Sequence, residues 1–272
     1  MIYRQNLHTH STYCDGRDSC EDTVRRALSL GFEAIGFSGH SSMAYSPSHG
    51  MSEDGTLAYR TEVLRLRELY AGQIEVFCGI EFDMYSAVDL APYDYVIGTL
   101  HYLHTDGEKV GFDRSAAEVR RVIDTYFGGD GMQYALAYYE QLTSLPQYGR
   151  CDIVGHFDII AKHSENEDFF DRSSPQYRRA ALDCLHALVE QGLRVFEVNT
   201  GAIARGYRKT PYPDPFLLRE LAALGCSVTL GSDCHDNRYL DYGFSDALEL
   251  LRACGFRSVL SLTREGWRED SI

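Results

Sequence analysis

The sequence predicts a parallel β/α barrel, closed on itself and not spread as an open sheet. Three observations carry this expectation. Short apolar or β-branched runs alternate with longer amphipathic segments, the pattern of parallel strands joined by crossover helices. Roughly seven such strands fit within 272 residues, near the ~250 residues of a typical barrel. Neither a Gly-x-Gly-x-x-Gly turn nor a Walker loop follows the first strand, which weighs against dinucleotide-binding and P-loop sheets.

The elements follow in order. The first strand, 2–8, opens on Ile2 and Tyr3 and closes on Leu7; the second, 34–38, carries Ile35 and Phe37. Between them, Val24, Ala27 and Leu28 recur at helical spacing over 20–30, with Asp18 or Ser19 as the N-cap. A helix over 57–70 leads to a third strand, 74–81, with Val76, Phe77 and Ile80. The fourth strand, 95–100, begins Tyr95-Val96-Ile97, and a helix over 133–145 lies in the long connection to a fifth at 153–155. The helix over 177–191 aligns Ala181, Leu185, Leu188 and Val189 on one face and stops at Gly192. Strands 195–199 and 227–231 and helices 215–224 and 244–254 complete the pattern, each helix ending before a glycine (Gly225, Gly255). With no linker, repeat or low-complexity tract, a single catalytic domain over 1–272 is expected.

Composition narrows the function. Hydrophobic residues make up 44% and charged residues 24%, which excludes disordered and fibrous classes. The formal charge of −14, from 26 Lys+Arg against 40 Asp+Glu, argues against nucleic acid or an anionic membrane as partner, while leaving room for a local basic pocket. No apolar run reaches the ~20 residues of a span, and no signal peptide is visible, so a cytoplasmic protein is expected. The 8 cysteines are dispersed without a Cys-x-x-Cys pair; free thiols are expected, and a zinc ribbon is excluded.

The informative feature is where polar residues fall. His8 and His10 stand at the end of the first strand, His40 beyond the second, Glu81 at the close of the third, His101 after the fourth and His156 after the fifth. Asp233 and His235 follow the seventh, and Asp15 lies in the loop after the first. Strand C-termini of a β/α barrel open on one face, so these side chains converge there. Imidazoles and carboxylates are metal ligands. A single His is usually an ordinary surface or core residue; the coincidence of position makes these a cluster. His49 and His186 have no privileged position, whereas His104 and His163 lie near the proposed ligands.

The motifs His8-Thr9-His10-Ser11-Thr12 with Asp15-Gly16, Ser38-Gly39-His40, Gly79-Ile80-Glu81, Gly98-Thr99-Leu100-His101-Tyr102, Gly155-His156-Phe157-Asp158 and Gly231-Ser232-Asp233-Cys234-His235 resemble those of the polymerase and histidinol phosphatase (PHP) superfamily, in its order and over nearly the whole chain. Glu197-Val198-Asn199-Thr200-Gly201 and Tyr212-Pro213-Asp214-Pro215 are similar to its histidinol-phosphate phosphatases. The resemblance implies a distorted (β/α)7 barrel holding two or three divalent ions of Zn, Fe or Mn. Carried across, one ion takes His8, His10, Glu81 and Asp233, a second Asp15, His40 and His156, and a third Glu81, His101 and His235, with Glu81 bridging. Many relatives carry His where this chain has Asp15, which leaves the metal open.

Glu81, Asp233 and His235 are the catalytic candidates. Three carboxylates against three divalent ions leave a site of about +3, which suits a dianionic phosphomonoester. Arg205, Arg208 and Lys162 are candidates to hold the phosphate, the arginines because guanidinium forks match its oxygens. Tyr102 and His104 are candidates to flank an organic group, and Asp106, Asp113 and Asp158 to meet an amine. The substrate expected is L-histidinol phosphate. A tyrosine phosphatase of the same superfamily, a polymerase-associated nuclease and a non-catalytic metal store are the alternatives.

Overall fold

The computed structural model describes residues 3–272. The chain runs β1 (Gln5–Asn6), α1 (Cys20–Ser29), β2 (Ala34–Phe37), α2 (Glu53–Leu69), β3 (Glu75–Asp83) and β4 (Tyr95–Thr99). A hairpin of β5 (Tyr102–Thr105) and β6 (Glu108–Gly111) follows, then α3 (Ala116–Tyr126), α4 (Gly131–Leu142), β7 (Ile153–Val154), α5 (Pro175–Glu190) and β8 (Val195–Asn199). The remainder is α6 (Gly201–Ala204), α7 (Pro215–Ala223), β9 (Ser227–Gly231), α8 (Phe244–Cys254) and a second hairpin of β10 (Ser258–Thr263) and β11 (Gly266–Ser271).

Seven strands form one parallel sheet in the order β1-β2-β3-β4-β7-β8-β9. The expected distorted (β/α)7 barrel is what the structure shows. Local chemistry explains the helix starts: Ser19, Ser52, Ser115, Asp130, Ser174 and Asp214 each accept a backbone N–H from the first turn they cap. Inside the barrel, Leu7, Phe77, Ile97, Ile153 and Leu262 pack around Tyr95. The Tyr95 hydroxyl donates to the Leu7 and Phe37 carbonyls, so one phenol ties the first two strands to the fourth. Gly79 is needed beside it, because a Cβ there would sit 2.2 Å from the ring.

The barrel closes unevenly. At the top, the ends of β1 and β9 meet through a parallel bridge between Thr9 and Cys234, with His10 N donating to Cys234 O at 2.9 Å and Cys234 N to His8 O at 3.2 Å. At the bottom the C-terminal hairpin fills the gap: the Gln5 amide exchanges two hydrogen bonds with the Leu262 backbone, and Tyr3 donates to Leu260 O. The seam therefore runs through the His8–His10 and Asp233–His235 segments.

Two expectations change. The first strand pairs over Gln5–Asn6 alone, because the Asn6 side chain accepts from His8 N and turns the chain into the top loop; the expected start at Ile2 lies outside the described residues. Both hairpins, α3 and the short α6 add to the elements expected from sequence. All eight cysteines are free thiols, and no described helix is long and apolar enough to cross a membrane.

Candidate metal centre and substrate cavity

Every expected donor lies at the C-terminal end of the barrel, and Glu81 is the hub. Its Oε2 stands 2.8 Å from His40 Nδ1 and 3.4 Å from both His8 Nε2 and His10 Nε2. Its Oε1 faces His156 Nε2 at 2.9 Å and His101 Nε2 at 3.3 Å. Asp233 Oδ1 completes the first set, 3.2 Å from His10 Nε2 and 3.6 Å from His8 Nε2. Asp15 Oδ2 lies 3.2 Å from His235 Nε2 and 3.7 Å from His40 Nε2. The donors form overlapping groups around Glu81, His8 with His156 and His40 with His101, while His10, His40 and His235 surround Asp15.

Whether these atoms suit a cation is answered by their pairing. His8 Nε2, His10 Nε2 and Glu81 Oε2 are buried, face one another and make no hydrogen bond, an arrangement that buried polar atoms otherwise avoid. Overlapping groups of three or four donors, each within 4.8 Å, recur through the cluster. Oxygen and imidazole donors so placed fit a divalent cation.

Electrostatics agree. Burial raises the three carboxyls, yet the imidazoles around Glu81 and Asp15, and Arg205 with His8 beside Asp233, outweigh it and hold all three below the usual carboxylate range. Burial, then the charges of His235 and His40, push His10 down to about 3. The acids are thus ionised and His10 neutral, the forms that ligate. Against the burial that lowers them, the neighbouring carboxylates raise His8, His40 and His101, which would release protons on taking up a cation.

The supporting residues include two that sequence reasoning did not assign. Glu197, 1% exposed on β8, accepts His8 Nδ1 at 2.7 Å, His156 N at 3.0 Å and Asn199 Nδ2 at 3.0 Å. This places a proton on His8 Nδ1, so that Nε2, facing Glu81 and Asp233, is the nitrogen that would give up its proton and offer its lone pair to a cation. Gly231 makes room, since a Cβ there would lie 1.9 Å from Glu197 Oε1. Asp83 accepts His101 N at 2.8 Å and the Tyr45 hydroxyl at 2.5 Å, fixing the start of the β4–β5 loop. Asp233 itself has φ 47°, an unusual backbone for a non-glycine residue. Arg205 holds it there through Asp233 O at 2.9 Å and Oδ2 at 2.7 Å.

A cavity of about 300 Å³ opens onto the cluster. Met43, Tyr102, Ile159, Tyr207 and Tyr212 form its apolar walls, and Asp113, Lys162, Arg205, Arg114 and His49 its polar ones. Tyr102, Lys162, Arg205 and Asp113 are therefore where the sequence suggested. Arg208 is not: its side chain is fully buried, 3.1 Å from Asp158 and stacked 4.4 Å over Tyr212, so its charge and that of Asp158 serve each other inside the fold. His104 also lies elsewhere, exposed on β5, where its backbone exchanges hydrogen bonds with Gln141. Asp106 occupies the β5–β6 turn. His163, buried against Tyr207, stays outside the lining, whereas His49, given no role from sequence, reaches the cavity because its loop folds over it.

The PHP domain family matches residues 6–201. The chain belongs to this family. Beyond the matched span, β9 still completes the PHP barrel and Asp233 and His235 complete the cluster. The PHP chain is 27% identical over 266 residues to a Deinococcus radiodurans protein named "Probable histidinol-phosphatase", with 93% of this chain and 94% of that one covered. It is 23% identical over 270 residues to the histidinol-phosphatase of Bacillus subtilis, covering 91% and 99%. In fold it is similar to the histidinol phosphate phosphatase of Lactococcus lactis, solved with Zn, L-histidinol and phosphate, at a TM-score of 0.70, 21% identity and 98% and 100% coverage.

Proposed function

We propose that this chain is a metal-dependent phosphomonoesterase that hydrolyses L-histidinol phosphate to L-histidinol and phosphate. The observation that carries the reading is Glu81, whose two oxygens each face a separate histidine set within a cavity that also offers cationic, acidic and aromatic walls. Near full-length similarity to histidinol-phosphatases supports it.

Two or three divalent ions of Zn, Fe or Mn would be held by these donors, with His8, His10, Glu81 and Asp233 in one set, His101 and His156 on the other oxygen of Glu81, and Asp15, His40 and His235 in a third. Bound there, they supply charge neutralisation for a phosphoryl group and acidify water at neutral pH. The chain's own residues do the rest. Glu197 and Asp83 fix His8 and the His101 backbone, so the donors need little reorganisation. Arg205 holds Asp233 in place and turns a partly exposed guanidinium toward the cavity. Asp113, ionised beside Lys162 at 3.3 Å, meets the substrate ammonium. Tyr102, Tyr207 and Met43 flank its imidazole and exclude water around it.

Two measurements on one preparation test this reading. Chelation should abolish phosphate release and a divalent ion should restore it; full activity in metal-free protein would overturn the metal assignment. kcat/KM for L-histidinol phosphate should exceed that for p-nitrophenyl phosphate by on the order of 100-fold, because a pocket with buried polar groups rejects a ligand that leaves them unpaired. Equal values would mean the pocket is not built for histidinol.

A further inference from the structure

Three cationic side chains line the cavity, and two are already neutralised. Lys162 Nζ lies 3.3 Å from Asp113 Oδ2, and Arg205 Nη2 lies 2.7 Å from Asp233 Oδ2. Arg114, from the segment between β6 and α3, differs: among the described residues no carboxylate comes within 4.0 Å of its guanidinium. Its partners are uncharged. Nη2 donates to His49 Nδ1 at 2.6 Å and reaches Ser46 Oγ at 3.4 Å, both on the loop after β2. Partial burial, then the Arg114 charge, keep the His49 imidazole below its ordinary range, consistent with a ring that accepts at Nδ1. Only Nη2 is occupied, which leaves Nη1 and Nε without an acceptor among the described residues.

We infer that Arg114 is the phosphoryl-gripping cation of this site, held over the cavity by His49 as its positioning residue. The inference rests on the phosphomonoesterase reading and deepens it. An arginine whose charge is spent on a carboxylate has little attraction left for an incoming dianion; an unpaired one, exposed at a cavity mouth, has nearly all of it. In a chain of net charge −14, an uncompensated cation beside the entrance also draws the anion toward this face against the overall field. Arg114 and His49 come from two different loops, so their contact bridges the mouth of the cavity.

Inorganic phosphate binding to the metal-loaded protein, measured by calorimetry, is the first readout, with steady-state hydrolysis beside it. Arg114→Met keeps much of the side-chain length and removes the charge. The phosphate Kd and the KM for the phosphomonoester should rise together by about 10- to 100-fold, the factor of a lost charge-assisted hydrogen bond, at wild-type metal content. His49→Ala should raise KM about 10-fold with kcat kept, and His49→Asn, whose Oδ1 can accept from Nη2, should recover most of the loss. Unchanged phosphate Kd and KM in Arg114→Met would reduce Arg114 to surface charge, and equal defects in His49→Ala and His49→Asn would remove His49 from the assignment. Should the wild-type protein hydrolyse no phosphomonoester, the functional reading fails, yet the phosphate Kd still decides the role of Arg114.

Discussion

Glu197→Gln replaces one carboxylate oxygen by an amide nitrogen and leaves the fold of β8 intact, yet the geometry makes it a severe test of how the cluster is held. The carboxylate accepts three donors: His8 Nδ1 on one oxygen, His156 N and Asn199 Nδ2 on the other. An amide cannot satisfy all three. With its nitrogen on the two-donor side, two buried donors lose their acceptor at ~1–3 kcal/mol each. With its nitrogen toward His8, the ring must shift its proton to Nε2, which costs less but removes the lone pair that faces Glu81 and Asp233. The second outcome is therefore the expected one, and it converts a conservative change into the loss of a ligand. Comparable losses around metal-bound histidines amount to 10–100-fold in affinity, or roughly 1.4–2.8 kcal/mol. Metal occupancy titrated against a competing chelator should shift by about that factor, with only a modest fall in Tm. Wild-type affinity across the titration would refute the argument that Glu197 sets the His8 tautomer.

Glu81→Gln keeps the shape of the hub but removes the charge shared between two histidine sets. Elemental analysis should show lost metal, and kcat should fall at least ~100-fold; wild-type metal content and rate would end the bridging assignment. Arg208→Met should act on stability, since it strands the fully buried Asp158 carboxylate. A cost of roughly 3–5 kcal/mol lowers Tm by on the order of 10 °C with KM kept, whereas a raised KM at unchanged Tm would return Arg208 to the phosphate.

The sequence made the cluster legible for a geometric reason. In a parallel barrel the strand end is a position that apolar periodicity already locates, and every such end points to one face. His40, His101 and His156 needed nothing more than the apolar runs before them. Which donors face one another was not readable that way, because it depends on ring orientation: His156 turns Nε2 to Glu81 and His235 turns Nε2 to Asp15, choices made by packing. Asp106-Gly107 did carry a signal for the β5–β6 hairpin, being an Asp-Gly pair with φ of 50° and 80° between segments able to pair. It lay in a stretch too polar to stand out by apolar periodicity. Arg208 misled for the opposite reason. A basic cluster reads as solvated or anion-binding, and nothing in local sequence shows that one guanidinium turns inward to meet an aspartate 50 residues away.

The seam explains why the site and the fold belong together. β1 and β9 are the edges of the seven-stranded sheet, and beyond them the chain is held across the gap by the Thr9–Cys234 bridge. His8 and His10 sit on one side of that gap, Asp233 and His235 on the other, with buried polar atoms 3–4 Å apart: His10 Nε2 to Asp233 Oδ1 at 3.2 Å, His8 Nε2 to the same oxygen at 3.6 Å. Apolar packing alone is a poor closure here, since the inner core of Leu7, Tyr95 and Leu262 lies below and the top is lined by polar side chains. His8, His10 and Asp233 would hold a cation across the seam, joining positions 8–10 to 233–235, and any ligand that binds only the closed form stabilises that form. The residues placed for chemistry are thus also the ones that finish the barrel, which is why their supports, Glu197 and Gly231, are built into the last two strands and not left to loops.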